Sequence, residues 1–217
     1  MSEAVLEAAL EAKELGLTRG PKQLFSGLSF AVSRGHAVVL RGPNGVGKTS
    51  LLRVIAGLTE ADAGGVLIGQ QAVTALSVDA RFSILYIGHA NALKDDFTAR
   101  ENLADQLALD ANFATEAQQL DALKAVGLYE RRDVMARRLS QGQKRRIGLA
   151  RLHLSCGAAQ KSIWLLDEPT NALDADGSAL FVRIVDAHLA AGGVAVIATH
   201  LRMSLSGNVV ELHMQEL

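Results

Sequence analysis

The chain has 217 residues, of which 49% are hydrophobic, and its formal net charge at pH 7 is -1. This length suits one α/β domain, alone or with an inserted subdomain, and the balanced charge argues against a global nucleic-acid footprint. No apolar run approaches the roughly 20 residues of a membrane-spanning helix, and the first residues lack a secretory signal, so we expect a cytoplasmic protein. The single cysteine, Cys156, excludes an internal disulfide and gives no zinc ligand set.

The elements predicted along the chain alternate between strands and helices. Residues 5–15 are rich in Ala, Glu and Leu, and their propensity alone predicts a helix. Four short apolar runs then have the length of strands that are covered on both faces, namely 37–40, 84–87, 163–166 and 194–197. Helical stretches lie between them, including 49–56 and 177–189. This alternation predicts an α/β fold with a mostly parallel sheet flanked by helices.

Residues 98–138 carry no strand signal. Apolar residues recur there at helical spacing, and Gly127 is typical of a helix stop. The recurring residues are Leu103, Leu107, Leu120, Leu123 and Val126. We therefore predict a single domain over 1–217, in which a helical subdomain of about 98–138 is inserted into an α/β core of about 8–97 and 139–217.

The strongest motif fits the pattern G-x-x-x-x-G-K-[ST] and lies between a predicted strand, 36–41, and a helix. It comprises Gly42, Pro43, Asn44, Gly45, Val46, Gly47, Lys48 and Thr49, and Ser50 follows it. Backbone N–H groups of such a loop wrap phosphates, and the helix dipole favours their charge. Lys48 is expected to reach the β- and γ-phosphates of ATP, and the Thr49 hydroxyl to bind Mg²⁺. The alternative is a Gly-rich turn with an incidental lysine, which would not need a strand before the motif and a helix after it.

Two acids follow the apolar run 162–166. Asp167, at the end of the predicted strand, is suited to hold Mg²⁺ through its water shell. Glu168 is suited to polarise an attacking water molecule. Taken alone, this segment could also be a helix N-cap aspartate followed by a solvated glutamate. Its occurrence together with the phosphate loop favours the catalytic interpretation.

Together these motifs resemble the ATP-binding-cassette (ABC) ATPases over about residues 8–205. Their order along the chain is the phosphate loop, the segment Leu139-Ser140-Gln141-Gly142-Gln143, the acid pair, the segment 171–174 and Thr199-His200. The resemblance implies the P-loop NTPase fold of an ABC nucleotide-binding domain, with a mostly parallel sheet and an inserted helical subdomain. It also implies ATP hydrolysis with Mg²⁺.

The resemblance further implies a homodimer in which each ATP lies between two chains. The phosphate loop of one chain would face Ser140, Gly142 and Gln143 of the other, at a helix N-terminus that is itself an anion site. His200 matches the switch histidine that contacts the γ-phosphate, and a plain structural hydrogen bond is its alternative role. Asp174 matches the acid that communicates across the dimer.

The sequence departs from the family pattern at three places. Gln141 stands where the family has glycine, and Gly142 is retained. The glutamine that ends the strand before the helical subdomain is replaced by His89, for which we expect a catalytic, water- or metal-facing role, with packing at the strand end as the alternative. The loop 17–22 lacks the aromatic residue on which adenine usually stacks, and Arg19 is expected to substitute in part.

Further segments resemble one branch of this family. The pair Gly88-His89, the segment 24–30 and the segment 140–152 resemble the ATP-binding subunit of the c-type cytochrome biogenesis system, described as a haem exporter ATPase. That implies integral membrane permease subunits, a peripheral position on the cytoplasmic face of the bacterial inner membrane, and energy for haem delivery.

Neither haem nor nucleic acid is expected to bind this subunit directly. The histidines, among them His36, His153 and His188, show no paired spacing or attachment motif, so we expect surface or strand-end residues. The basic run 144–146 favours a solvated helix face over a nucleic-acid site.

Three other functions remain as alternatives. The chain could serve another ABC transporter, or act as a soluble ABC protein on ribosomes or DNA, for which a single cassette without a heptad run is poorly suited. A nucleotide-binding subunit without turnover is disfavoured by the retention of Glu168 and His200.

Overall fold

A computed structural model describes residues 8–157 and 162–215. The strands are β1 (Ala8–Arg19), β2 (Lys22–Ser33), β3 (His36–Arg41), β4 (Ala63–Ile68), β5 (Gln71–Ala72), β6 (Ile84–Ile87), β7 (Ile163–Asp167), β8 (Val194–Ala198) and β9 (Asn208–His213). The α-helices are α1 (Lys48–Ile55), α2 (Val78–Arg81), α3 (Ala99–Leu109), α4 (Glu116–Ala125), α5 (Gln141–Ser155) and α6 (Ala175–Ala190).

The central sheet is parallel throughout, in the order β6-β7-β8-β3-β9. All four predicted apolar runs are strands of this sheet, which confirms the parallel part of the prediction. Side chains alternate between two hydrophobic clusters, so that Leu165 and Val196 enter one and Trp164 and Ile197 enter the other. Because both of their faces are covered, strands β6, β7 and β8 are apolar at nearly every position. Their carboxyl ends meet at one edge, where open α/β sheets bind ligands.

The helix predicted for 5–15 is wrong from Ala8 onward, where β1 lies in a second, antiparallel sheet of order β2-β1-β4-β5. Residues 5–7 lie outside the described residues. Leu10 and Leu15 are buried on either side of an irregularity at Glu14, whose φ of 48° marks a bulge. The bulge keeps apolar side chains facing the core, and pairing on both edges satisfies the backbone of β1. Tertiary pairing therefore overrides local helix propensity.

The predicted helical segment contains α3 and α4, each of which begins at a capping box, Thr98 with Glu101 and Thr115 with Gln118. Their buried leucines share a cluster with α5. The division of the chain into a core and a subdomain stays a prediction. Across the two described ranges, no helix is both long and apolar enough to cross a bilayer.

His188, expected at the surface or a strand end, is instead a core residue on α6. Its side chain is 1% exposed, and its ring stacks on Trp164 of β7 at a centroid distance of 3.7 Å. Its Nε2 donates to the Val194 carbonyl at 3.3 Å. Helical spacing from Phe181 and Val185, which are also buried, could have revealed this position.

Candidate active site

A cleft of about 510 Å³ lies at the carboxyl edge of the parallel sheet. The predicted residues that line it are Asn44, Gly45, Gly47, Lys48, Thr49, Ser50, His89, Asp167, Glu168 and His200. Arg19, Leu24 and Asn171 complete the lining. Residues that are far apart in the chain thus converge here because β3, β6, β7 and β8 all end at this edge.

The phosphate loop requires glycine where it leaves β3. Gly42 has a φ of 147°, and a Cβ there would lie 2.5 Å from the Met214 carbonyl oxygen. Val46 is buried and anchors the loop in the core. The Lys48 ammonium donates to the carbonyls of Gly42 and Pro43 at 2.7 and 3.0 Å. The loop therefore holds the ammonium group over its own centre, at the first residue of α1.

Two oxygen-bearing side chains meet beside Lys48. The Thr49 hydroxyl donates to Asp167 Oδ2 at 2.8 Å, which joins the start of α1 to the end of β7. A hydroxyl and a carboxylate oxygen are ligands of the kind that Mg²⁺ takes, so this pair fits the ion. His89, the second residue after β6, lines the cleft on the same side.

Glu168 is held in an unusual backbone conformation. Its φ is 46°, in a region that costs a non-glycine residue about 1–3 kcal/mol and persists only where the surroundings impose it. The side chain is 7% exposed, and His200 Nδ1 lies 3.0 Å from its Oε2. Because a carboxylate only accepts hydrogen bonds, the ring nitrogen donates. The pair fixes a carboxylate at the wall of the cleft, where it can orient water.

Arg145 holds the backbone on both sides of Glu168, and the sequence analysis did not identify this role. Its guanidinium donates to the carbonyls of Asp167, Glu168 and Pro169 at 2.9, 2.6 and 3.0 Å, and to that of Gly88 at 3.1 Å. The side chain is 4% exposed, so the solvated face expected for 144–146 is wrong here. Burial lowers the pKa of Arg145, and the neighbouring Asp167 and Glu168 oppose that shift.

A signal for Arg145 was present in the sequence. It lies four and seven residues before Leu149 and Leu152, which are buried on the same face of α5. An arginine in a buried helical stripe indicates a specific polar partner rather than a solvated charge.

The predicted residues of the L-S-x-G-Q segment do not line the cleft. Ser140 caps α5, its Oγ accepting from Gln143 N–H while Gln143 Oε1 accepts from Ser140 N–H. Gly142 packs so closely against the segment 171–174 that a Cβ would lie 2.7 Å from the Ala172 carbonyl oxygen. This second steric reason for glycine was not visible in the sequence.

Asp174 is already engaged within the chain. Its Oδ1 accepts from Gly177 N–H at 2.8 Å, which caps α6, and both carboxylate oxygens pair with Arg146 at 2.7 and 3.0 Å. The Gly177 N–H and the Arg146 guanidinium lower the pKa of this carboxyl. Arg146 also donates to the Val126 carbonyl, so one side chain joins α4, α5 and the start of α6.

Comparison with known proteins identifies the family to which the chain belongs. The family described as ABC transporter matches residues 25–171. The cytochrome c biogenesis ATP-binding export protein CcmA of Nitrosomonas europaea is 42% identical over 91% of both chains. That of Dechloromonas aromatica is 40% identical over 94% of this chain and 99% of its own.

Solved structures agree on the fold. A putative ABC transporter ATP-binding protein from Pyrococcus furiosus has a TM-score of 0.80 at 22% identity, covering 94% of this chain and 96% of its own. The ATP-binding cassette MJ0796, in a dimeric post-hydrolysis state bound to ADP and Pi, has a TM-score of 0.75 at 24% identity over 88% of each chain.

The chain is thus an ATP-binding, ATP-hydrolysing ABC transporter subunit with the α/β fold of that family. Within it, the chain belongs to the family of the cytochrome c biogenesis ATP-binding export proteins CcmA.

The cleft predicts weak discrimination between nucleobases. Arg19 and Leu24 line it, and no aromatic residue does so within the described part of the chain. Base stacking on an aromatic ring is worth about 1–3 kcal/mol. We expect ATP and GTP to bind within about tenfold of each other, or 1.4 kcal/mol, in a competition assay. Arg19→Tyr, which supplies a ring, should tighten ATP binding. A hundredfold preference of the unaltered protein for ATP would contradict the prediction.

Proposed function

We propose that this chain is the ATPase of the transporter that serves c-type cytochrome biogenesis. It supplies energy for haem delivery through integral membrane permease subunits, from the cytoplasmic face of the bacterial inner membrane, and does not itself bind haem. The observation that carries this is the identity of about 40% with the CcmA proteins over nearly the whole of both chains.

In the proposed reaction, residues of this chain bind the triphosphate, orient the attacking water and neutralise the charge of the phosphates. The phosphate loop and Lys48 bind the triphosphate, and Ser50 lies beside them at the start of α1. Mg²⁺, held by Thr49 and Asp167, would neutralise charge on the phosphate oxygens. Glu168 accepts a hydrogen bond from the attacking water and draws its proton as the oxygen approaches the γ-phosphorus, while the bond from that phosphorus to the β–γ bridging oxygen breaks and ADP leaves with the electron pair. His200 holds that carboxylate in place and faces the γ-phosphate.

We also propose that hydrolysis takes place in a homodimer. Ser140, Gly142 and Gln143 stand at the N-terminus of α5, away from the cleft of their own chain. That terminus offers backbone N–H groups and a favourable dipole to a phosphate of the partner subunit's ATP. In such an arrangement neither site is complete until both chains close.

The proposed function is tested by deleting the gene in its own organism. The deletion should abolish haem-stained c-type cytochromes, and the wild-type gene should restore them while a Glu168→Gln gene should not. Cells without the gene that keep normal c-type cytochromes would show that the ATPase serves another transporter.

Capture of the tagged chain from detergent-solubilised membranes should recover integral membrane subunits, and recovery of ribosomes instead would favour a soluble ABC function.

His89 provides a separate prediction about coupling. We propose that it takes the place of the family's glutamine, since it lines the cleft on the side of Thr49 and Asp167. A neutral ring nitrogen and an amide can both accept a hydrogen bond from water. His89→Gln should therefore retain ATP hydrolysis and c-type cytochrome production in the complex. His89→Ala should hydrolyse ATP with little cytochrome produced, and the ratio of the two outputs measures this. Equal ratios for both variants would mean that His89 only packs at the strand end.

A further inference from the structure

We propose that Arg41 is a positioning residue for His200, and that Glu211 holds Arg41 in that role. The inference rests on the catalytic role proposed for His200. Arg41 is the last residue of β3, immediately before the phosphate loop, and its side chain is 11% exposed. Neither the phosphate-loop motif nor the other sequence patterns drew attention to it.

The guanidinium of Arg41 joins the histidine loop to a neighbouring strand. Its Nη1 donates to the Leu201 carbonyl and lies 3.5 Å from the Thr199 carbonyl, one on either side of His200. Its Nε and Nη2 donate to one carboxylate oxygen of Glu211, on β9, at 3.1 and 2.9 Å. Four contacts thus fix the plane of the guanidinium against the loop backbone.

His200 needs such support because little else holds it. The segment 199–205 is neither helix nor strand, and the His200 side chain is 53% exposed. Apart from the contacts of Arg41, the hydrogen bonds of its backbone neighbours among the described residues run from Thr199 N–H to the Leu40 carbonyl, at 3.3 Å, and from Leu201 N–H to Thr199 Oγ1, at 3.1 Å. The 3.0 Å contact between His200 Nδ1 and Glu168 therefore depends on where the loop backbone lies.

Arginine suits this task better than lysine. A guanidinium presents several donors in one rigid plane, whereas an ammonium is a point charge on a flexible stem. Since Arg41 precedes Gly42 directly, its anchor also links the start of the phosphate loop to His200. A purely structural role, in which Arg41 only pairs β3 with β9, would affect stability without acting through the histidine.

A double-mutant comparison separates the two roles. Arg41→Met should lower kcat at least about tenfold with KM for ATP changed less than about twofold. In a His200→Ala background the same change should lower kcat less than about twofold further, because its effect is already lost. Arg41→Lys should restore part of the rate, and thermal unfolding of each variant monitors the fold.

Two further variants serve as a control and as a substitute for Arg41→Met. Arg202→Met removes a positive charge from the same loop and should keep wild-type activity, which excludes a general electrostatic effect. If Arg41→Met does not fold, Glu211→Gln allows the same double-mutant comparison with Arg41 still present. Glu211→Gln is expected to lower kcat when His200 is present and not in the His200→Ala background. An unchanged kcat in Arg41→Met would overturn the role proposed for Arg41 but not that of His200. Rate losses that multiply when Arg41→Met and His200→Ala are combined would have the same meaning. A fully active His200→Ala protein would overturn the proposed role of His200 as well.

Discussion

Glu168→Gln is expected to reduce steady-state ATP hydrolysis by about 10²–10⁴-fold, the range lost with a general base, while ATP still binds. Glutamine has the size of glutamate and an oxygen that can keep the hydrogen bond from His200, but it cannot take a proton from water. Because ATP is bound and not cleaved, the variant should accumulate as a dimer. An ATPase assay and size-exclusion chromatography with and without ATP measure both effects.

Lys48→Ala is the matched control for this experiment. It removes the ammonium held at the centre of the phosphate loop, so ATP binding itself should fail and the chain should stay monomeric with ATP. Glu168→Gln turning over like the wild type would show that the carboxylate is not the base. Loss of ATP binding in Glu168→Gln would instead indicate that the strained turn had collapsed.

The sequence predicts the parts of this molecule that are encoded locally. The phosphate loop is one contiguous run whose glycines, lysine and threonine each serve the same turn. Strand β8 is apolar at every position, and β7 is apolar up to Leu166, because both strands are buried on both faces. Once those strands and the loop are placed, the carboxyl edge of a parallel sheet brings Asp167, Glu168 and His200 to Lys48.

The antiparallel sheet was not predictable in the same way. Local propensity favours a helix at β1, and what opposes it is pairing with β2 and with β4, which lies some 50 residues further along. The bulge at Glu14 also interrupts the two-residue alternation by which a strand is recognised. Pairing partners and irregular register are non-local properties, so a window of sequence does not contain them.

The supporting arginines were hidden for a different reason. Arg145 donates mostly to backbone carbonyls, and Arg41 contacts the His200 loop through backbone carbonyls, which every residue carries, so no motif of side chains marks the segments that they hold. From the sequence Arg41 is only a positive charge, and Arg145 is marked only by its place in a buried helical stripe. The candidate catalytic side chains are thus predictable by type and spacing, while the carbonyl groups that the two arginines hold are found only from the folded chain.

Acidification is expected to destabilise the fold through His188. Burial lowers the pKa of His188 to about 4, against opposing contributions from the backbone of Val194 and Ser162. Its Nδ1 is buried without a hydrogen-bond partner among the described residues. Between pH 6.5 and 4 the unfolded chain therefore binds a proton that the folded chain does not, and this protonation favours unfolding.

The sign and size of this effect follow from the shift of the pKa. The contribution of neutral His188 to the free energy of unfolding is fully present above pH 6.5 and is lost below about pH 4. At 1.36 kcal/mol per pKa unit, the total change in this free energy is about 3 kcal/mol. Chemical denaturation at pH 7, 5.5 and 4.5 measures the free energy of unfolding. His188→Phe keeps a ring against Trp164 but cannot titrate, so its stability should fall less over this range. His153→Gln, at an exposed position on α5, should follow the wild type, and parallel curves for wild type and His188→Phe would exclude His188 as the group responsible.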